Sequence, residues 1–277
     1  GQDALNNCMK EYGGFEHNLQ SLRTVDELEE RYADFPGLNL TFESREGILK
    51  HCSANKAKEL GDVGERFLNK QQPHLEAQAV NLADEIAYNN HDVDDGLRAG
   101  LINIEQLRQV NLFNAQYEVV KSQYPELQGR RLIHETIRRM INELVVDLVE
   151  TSQQRLKEAS PKSVDQVRSQ TAPLIGFSEE MRERSLELKR FLRNELYRHY
   201  RVHRMTSKAD RIIRDLFEGF MQDIKLLPPE HQKTASRYEA EIGATGRALA
   251  AADYIAGMTD RYAIMEHRRI FDPSELT

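Results

Sequence analysis

Cysteine is nearly absent from this chain: Cys8 and Cys52 are the only two in 277 residues. That scarcity argues against a disulfide framework, and neither a CxxC pair nor a Cys/His zinc pattern occurs, so a reducing cytoplasm is the expected setting. Proline (8) and glycine (15) are also few, and no segment reads as disordered or repetitive. No apolar run approaches the roughly 20 residues that span a bilayer, and no stretch reads as a secretory leader, so no membrane partner is expected. Positive charge is not in excess: the formal net charge is −7, which argues against wholesale nucleic-acid binding.

What remains is a helix-forming composition. Leu, Glu, Arg, Ala and Gln are common and Thr is scarce, and 39% hydrophobic content supplies a core. The expected fold is all-α: one compact multi-helix body over residues 1–277 with a C-terminal helical extension. Residue 1 is Gly, and residues 2–9 already read as helix, so further chain is expected upstream. Residues 2–12 predict a helix ended by Gly13-Gly14, and Leu19, Leu22, Val25 and Leu28 give residues 17–31 a helical period. Thr41 is placed to cap a helix carrying Ile48 and Leu49. Residues 56–72, polar and glycine-punctuated, read as a surface excursion, after which Pro73 opens a long helix.

Asn103 predicts another cap, and a further helix runs to Tyr124. Residues 130–154 form the clearest amphipathic helix, with a buried stripe of Leu132, Ile133, Ile137, Met140, Ile141, Leu144, Val145, Leu148 and Val149. Short strands are candidates at residues 164–167 and 174–177. Ser178 caps a helix to about Tyr200, with Glu179 and Glu180 at its positive end. A helix at 208–224 is stopped by Pro228-Pro229, and 245–269 is the last.

The most informative segment is NLADEIAYNNHDVDDG, residues 81–96. At 100° per residue a helix puts Asp84, Tyr88, His91, Asp92 and Asp95 on one stripe, and Leu82, Ile86, Val93 and Leu97 largely elsewhere. Three carboxylates, an imidazole and a phenol on an apolar-backed helix suit a cation, or a substrate carrying one; a plain solvated acidic face is the competing reading. A second concentration is cationic: residues 182–214 hold eleven Lys or Arg against four Asp or Glu. Within it Lys189, Arg193 and Tyr197, at i, i+4 and i+8, make one stripe suited to a polyphosphate. A solvated basic face, or a surface for single-stranded nucleic acid with tyrosines stacking on bases, fits the same residues.

Four segments carry a resemblance across nearly the whole chain: GGFEHNLQSLR (13–23), NLADEIAYNNHD (81–92), LKRFLRNELYRH (188–199) and DYIAGMTDRYA (253–263). In that order they resemble the HD-domain deoxyguanosinetriphosphate triphosphohydrolases, and the opening GQDAL resembles residues just after that family's His-Asp core motif. The resemblance implies an HD-type body and hydrolysis of a deoxynucleoside triphosphate, dGTP or another dNTP, to deoxynucleoside and tripolyphosphate. It makes Asp84 the distal metal ligand, with the His and His-Asp partners expected upstream of Gly1. The implied metal is Mg²⁺ or Mn²⁺, with Fe²⁺ or Ni²⁺ as further candidates.

By the same resemblance His17 is catalytic, donating a proton to the departing 5′-oxygen or stabilising charge on the α-phosphate. Asp92 accepts a hydrogen bond from the 3′-hydroxyl, and Tyr88 packs on the sugar. Arg193 and Tyr197 bind substrate, followed by Lys189 and Tyr200, with Asn18, Gln20 and Arg23 as weaker contacts. Gln2 stands where many relatives carry an acid, so either an amide replaces that carboxylate or Asp3 takes its place. No chemistry is evident in residues 253–263, and Asp260 is given no catalytic role. A homo-oligomer is implied, with a dNTP effector or single-stranded nucleic acid as further partners. The rival functions are another HD phosphohydrolase, acting on other nucleotides or alarmones, and a non-catalytic nucleotide- or nucleic-acid-binding protein.

Overall fold

Helices make up every regular element of this computed structural model among the described residues, which are 1–49 and 52–275. The sole β pairing among them is an isolated bridge from Glu30 to Gly37. The all-α expectation is met. The chain gathers into two compact units, Gly1–Leu40 with His203–Thr277, and Thr41–Val202, and each is described by itself.

The first unit begins with α1 (Gln2–Cys8) and α2 (His17–Arg23). Between them a 3₁₀ turn at Lys10–Tyr12 ends on Gly13, whose φ of 102° only glycine adopts without strain. Glu16 caps α2, its carboxylate accepting from the backbone N–H groups of Asn18 (3.1 Å) and Leu19 (3.0 Å). A π-helical turn, Thr24–Leu28, continues α2, so the regular helix is shorter than the period of residues 17–31 suggests.

The second unit runs through α3 (Phe42–Ile48), α4 (Ala54–Ala57), α5 (Asp62–Leu68), α6 (Leu75–Arg98), α7 (Ile104–Leu107), α8 (Asn111–Gln123), α9 (Gly129–Ala159), α10 (Val164–Arg168) and α11 (Glu179–Phe191). Thr41 caps α3, Asn103 closes a reciprocal capping box with Gln106, and Ser178 caps α11, as their side chains allow. Its core joins Ile86 and Val93 of α6, Phe113 of α8, Met140 and Leu144 of α9, and Leu188 of α11. The C-terminal part supplies α12 (Tyr200–Gln222), α13 (Pro229–Ile242), α14 (Ala244–Ala256) and α15 (Asp260–Phe271). In the first unit Leu5, Phe217, Phe220, Leu227, Ala248 and Ala251 pack together.

Several expectations are corrected. Residues 56–72 are largely exposed, as read, but the stretch is not loop: α4 and α5 pack so closely that a Cβ on Gly64 would sit 1.9 Å from the Ala57 carbonyl oxygen. Of the charged residues there, Arg66 alone is buried. Glu46, 1% exposed, lies 3.3 Å from Arg66 Nε and 3.3 Å from Arg168 Nη2. The candidate strand at 164–167 is α10, capped by Ser163, and 174–177 is irregular chain with a bend and no ladder. Val145 and Val149 are exposed; on α9 each lies 100° round from Leu144 and Leu148, outside the buried face. The last helix is broken at residues 257–259, where Thr259 caps α15, and α13 starts at the proline pair read as a stop.

Candidate functional site

The 24 residues of α6 place the acidic stripe as its spacing predicts. Ile86 and Val93 are buried, while Asp84, Tyr88 and His91 are exposed. Opposite that stripe, α11 does not end as an ordinary helix. Its last residues pass into a π-helical turn, Leu192–Tyr197, anchored by buried Leu192 and Leu196. Such turns widen the helix by one residue and often occur at functional sites. Gly96 accommodates this neighbour: a Cβ there would meet Leu196 Cδ1 at 3.1 Å and Ile102 Cδ1 at 2.8 Å.

The two elements wall a cleft of about 710 Å³, and the residues that line it include Asp84, Tyr88, Lys189, Arg193 and Tyr197. Two segments separated by more than 90 residues of chain thus converge. The Tyr197 hydroxyl donates to the Asp92 carboxylate, which brings a sixth expected residue to the same place. Burial first, then the Asp92 hydrogen bond, pushes the Tyr197 phenol far above its usual range, so it stays a neutral donor. Lys189 Nζ is 2.6 Å from Glu85 Oε1, whereas Arg193 forms no ion pair among the described residues. Asn81 Oδ1, from another residue of the lining, is buried without a hydrogen-bond partner among the described residues, an acceptor available to a ligand donor.

His17 and Asn18 belong to the other unit. His17 is the first residue of α2 and is exposed, with Nδ1 3.0 Å from Glu16 Oε1. Asn18 is buried, its amide donating to the same Glu16 oxygen at 3.0 Å. Gln20 and Arg23 both bond Asp253: Gln20 Nε2 donates to Oδ1 at 2.8 Å, and Arg23 Nη2 to Oδ2 at 3.1 Å. Asp253 therefore joins α2 to α14, a structural role for the fourth motif that spacing alone did not reveal. Tyr200, 60% exposed, packs its ring against His199 at a 35° tilt. Glu85 gives no signal in the sequence: it lies 100° round α6 from Asp84, and its partner Lys189 is brought to it only by the fold.

A metal was expected at Asp84. Among the described residues, no three His, Cys, Asp or Glu side chains gather where a metal ion could be held. The described residues do not by themselves make a metal centre.

Residues 175–269 match the phosphohydrolase-associated domain, which takes in Lys189, Arg193, Tyr197 and Asp253. Over 276 residues the chain is 60% identical to a deoxyguanosinetriphosphate triphosphohydrolase-like protein of Bordetella pertussis, covering 98% of this chain and 70% of that one. The same description belongs to a Thiobacillus denitrificans protein, 58% identical over all of this chain and 71% of its own length. A third, from Ralstonia pickettii, is 60% identical over 98% and 68%. The chain belongs to the deoxyguanosinetriphosphate triphosphohydrolase-like family. The α6–α11 cleft is where the side chains expected from residues 81–92 and 188–199 meet. No helix among the described residues is long and apolar enough to cross a membrane.

Proposed function

We propose that the chain is part of a metal-dependent deoxynucleoside triphosphate triphosphohydrolase, releasing deoxynucleoside and tripolyphosphate from dGTP or related dNTPs. The observation that carries this reading is the composition of the cleft: two cations, two phenols and a carboxylate pair contributed by α6 and the end of α11. Each component matches one part of such a substrate. Arg193 offers a planar fork of donors to phosphate oxygens, and Lys189 a compact charge. Tyr88 and Tyr197 present flat, partly apolar faces to a sugar ring.

Asp92 has acceptor capacity beyond the bond from Tyr197, because a carboxylate carries about four lone-pair sites. A 3′-hydroxyl donating there would register the sugar against both groups. Asp84 would supply an oxygen to a divalent cation, Mg²⁺ or Mn²⁺ or a softer alternative, and such an ion would supply an activated water. His17 is assigned proton transfer to the leaving 5′-oxygen; its support is the match of residues 13–23 to the family. A homo-oligomeric assembly, with a dNTP effector or a nucleic-acid partner, belongs to the same reading.

The test is product analysis of the intact gene product with each dNTP and Mg²⁺ or Mn²⁺. Phosphorus NMR showing tripolyphosphate with free deoxynucleoside is the expected result. Orthophosphate or pyrophosphate as the product would move the assignment to another HD phosphohydrolase chemistry. Binding without turnover would make the protein a nucleotide sensor.

A further inference from the structure

Glu85 is the neighbour of Asp84 in sequence but faces a different partner. Its Oε1 lies 2.6 Å from Lys189 Nζ and accepts from Ser185 Oγ at 3.2 Å. Ser185 and Lys189 are one turn apart on α11, and Ser185 is 5% exposed. One carboxylate oxygen therefore grips α11 at two points a turn apart. The Glu85 and Lys189 side chains are 25% and 40% exposed, partly withdrawn from water yet still lining the cleft.

This arrangement distinguishes the two cations. A lysine side chain is free to sample many rotamers, and holding it still costs up to about 2 kcal/mol of entropy. Glu85 meets that cost on folding, before any ligand arrives. An ammonium has three donors; the carboxylate engages one side of it, and donors remain for a phosphate oxygen. Arg193 has no such tether among the described residues.

We infer that Glu85 is a positioning residue, fixing the Lys189 ammonium in the α6–α11 cleft for a phosphate group of the substrate. This inference rests on the triphosphohydrolase reading of the cleft. Glu85 acts through Lys189 and Ser185 and touches no reacting atom. Its carboxylate also offsets the charge of Lys189, so the pinned cation is specified by placement and Arg193 by charge.

The test pairs kinetics with amine-reactive labelling of Lys189, read by mass spectrometry on the full chain. Glu85→Ala is expected to raise KM for the dNTP about tenfold with kcat little changed, the scale of one charge-assisted hydrogen bond. In a Lys189→Ala background the same change should add nothing, because the two residues act as a unit. Glu85→Gln, which keeps an acceptor for both Nζ and Oγ, should restore most of the affinity. Inorganic tripolyphosphate should protect Lys189 from labelling in the wild type and protect it less in Glu85→Ala.

An equal KM penalty with or without Lys189, or a lowered Tm with unchanged KM, would make Glu85 a structural staple and overturn the inference alone. Failure of tripolyphosphate to protect Lys189 in the wild type would overturn the phosphate reading of the cleft, and this inference with it.

Discussion

The Tyr197 hydroxyl donates to the Asp92 carboxylate, tying the π-helical turn to α6 two turns beyond Asp84. The bond does two things. It joins the two elements that wall the cleft, and it holds the Asp92 carboxylate beside Tyr197, which lines it. Tyr197→Phe retains the ring and removes only the donor. Expected is a KM increase of about fivefold, equivalent to roughly 1 kcal/mol for one hydrogen bond, with far-UV circular dichroism unchanged. An alkaline absorbance titration adds a second readout. Burial and Asp92 raise the Tyr197 phenol, and burial and the Tyr262 hydroxyl raise that of Tyr254. A raised folded-state value stabilises fully below the unfolded value near pH 10 and is lost as pH climbs above it. Both phenols should therefore ionise only with alkaline unfolding, after the other tyrosines.

Asp253 predicts a different kind of loss. It is 10% exposed, accepts from Gln20 and is paired with Arg23, itself also bonded to the Tyr238 hydroxyl. Removing the acid leaves a half-buried guanidinium without its main counter-charge. Asp253→Ala should destabilise the first unit by roughly 3 kcal/mol, seen as a lower midpoint in urea unfolding. Residual activity at low temperature should keep the wild-type KM, since the residue serves α2 and α14 rather than the cleft.

Helix positions were legible in this chain because they rest on short-range chemistry. Thr41, Asn103 and Ser178 announce helix starts by side-chain reach alone, and Ile86 and Val93 lie where a 3.6-residue period puts them. The cleft was half legible. Lys189, Arg193 and Tyr197 share a helical spacing, and so do Asp84, Tyr88 and Asp92, but no spacing reveals that the two stripes face each other. What failed was of one kind: long-range pairing of polar groups. Arg66 lies in a stretch that reads as polar surface, although it is buried beside Glu46. Asp253 stands some 230 residues from Gln20 and Arg23, and only the fold joins them.

That interior cluster can be tested by its asymmetry. Glu46 is within 3.3 Å of both Arg66 and Arg168, and Arg66 also donates to the Leu49 carbonyl at 2.7 Å. Burial already lowers the Arg66 value, and Glu46 opposes that shift. Glu46→Ala removes the acid and leaves two guanidinium groups facing each other. A loss of about 3–5 kcal/mol is expected, in the range for breaking a buried pair from one side. Thermal unfolding should show it, and the double change Glu46→Ala with Arg66→Met should recover part of the loss.

Glu135 gives the clearest acid-side prediction. Hydrogen bonds from Arg138 first, then Arg139, hold its carboxyl at about 2, well below the usual carboxylate value. The sign follows from linkage: stabilisation is present above the unfolded value near 4.5, and is lost as pH falls from there towards 2. The group is solvent-facing, so salt should screen the effect and its share of stability is small. Carboxyl carbon NMR should place the Glu135 titration well below that of other glutamates. Arg138→Gln should move it back towards them.

Asp84 carries the sharpest consequence of the metal proposal. The residue sits on the exposed face of α6, so Asp84→Ala puts a better helix former at an exposed position and should leave helical content intact. If Asp84 supplies a metal oxygen, that variant loses metal-stimulated turnover, and chelation of the wild-type gene product abolishes turnover to the same extent. Added Mn²⁺ should then restore the chelated wild type and not the variant. Tripolyphosphate protection of Lys189 separates binding from chemistry: it should survive in Asp84→Ala if the cations hold the phosphates independently of the ion. Turnover that persists through both chelation and Asp84→Ala would remove the metal from the reaction and leave the cleft to work through Lys189, Arg193 and Tyr197 alone.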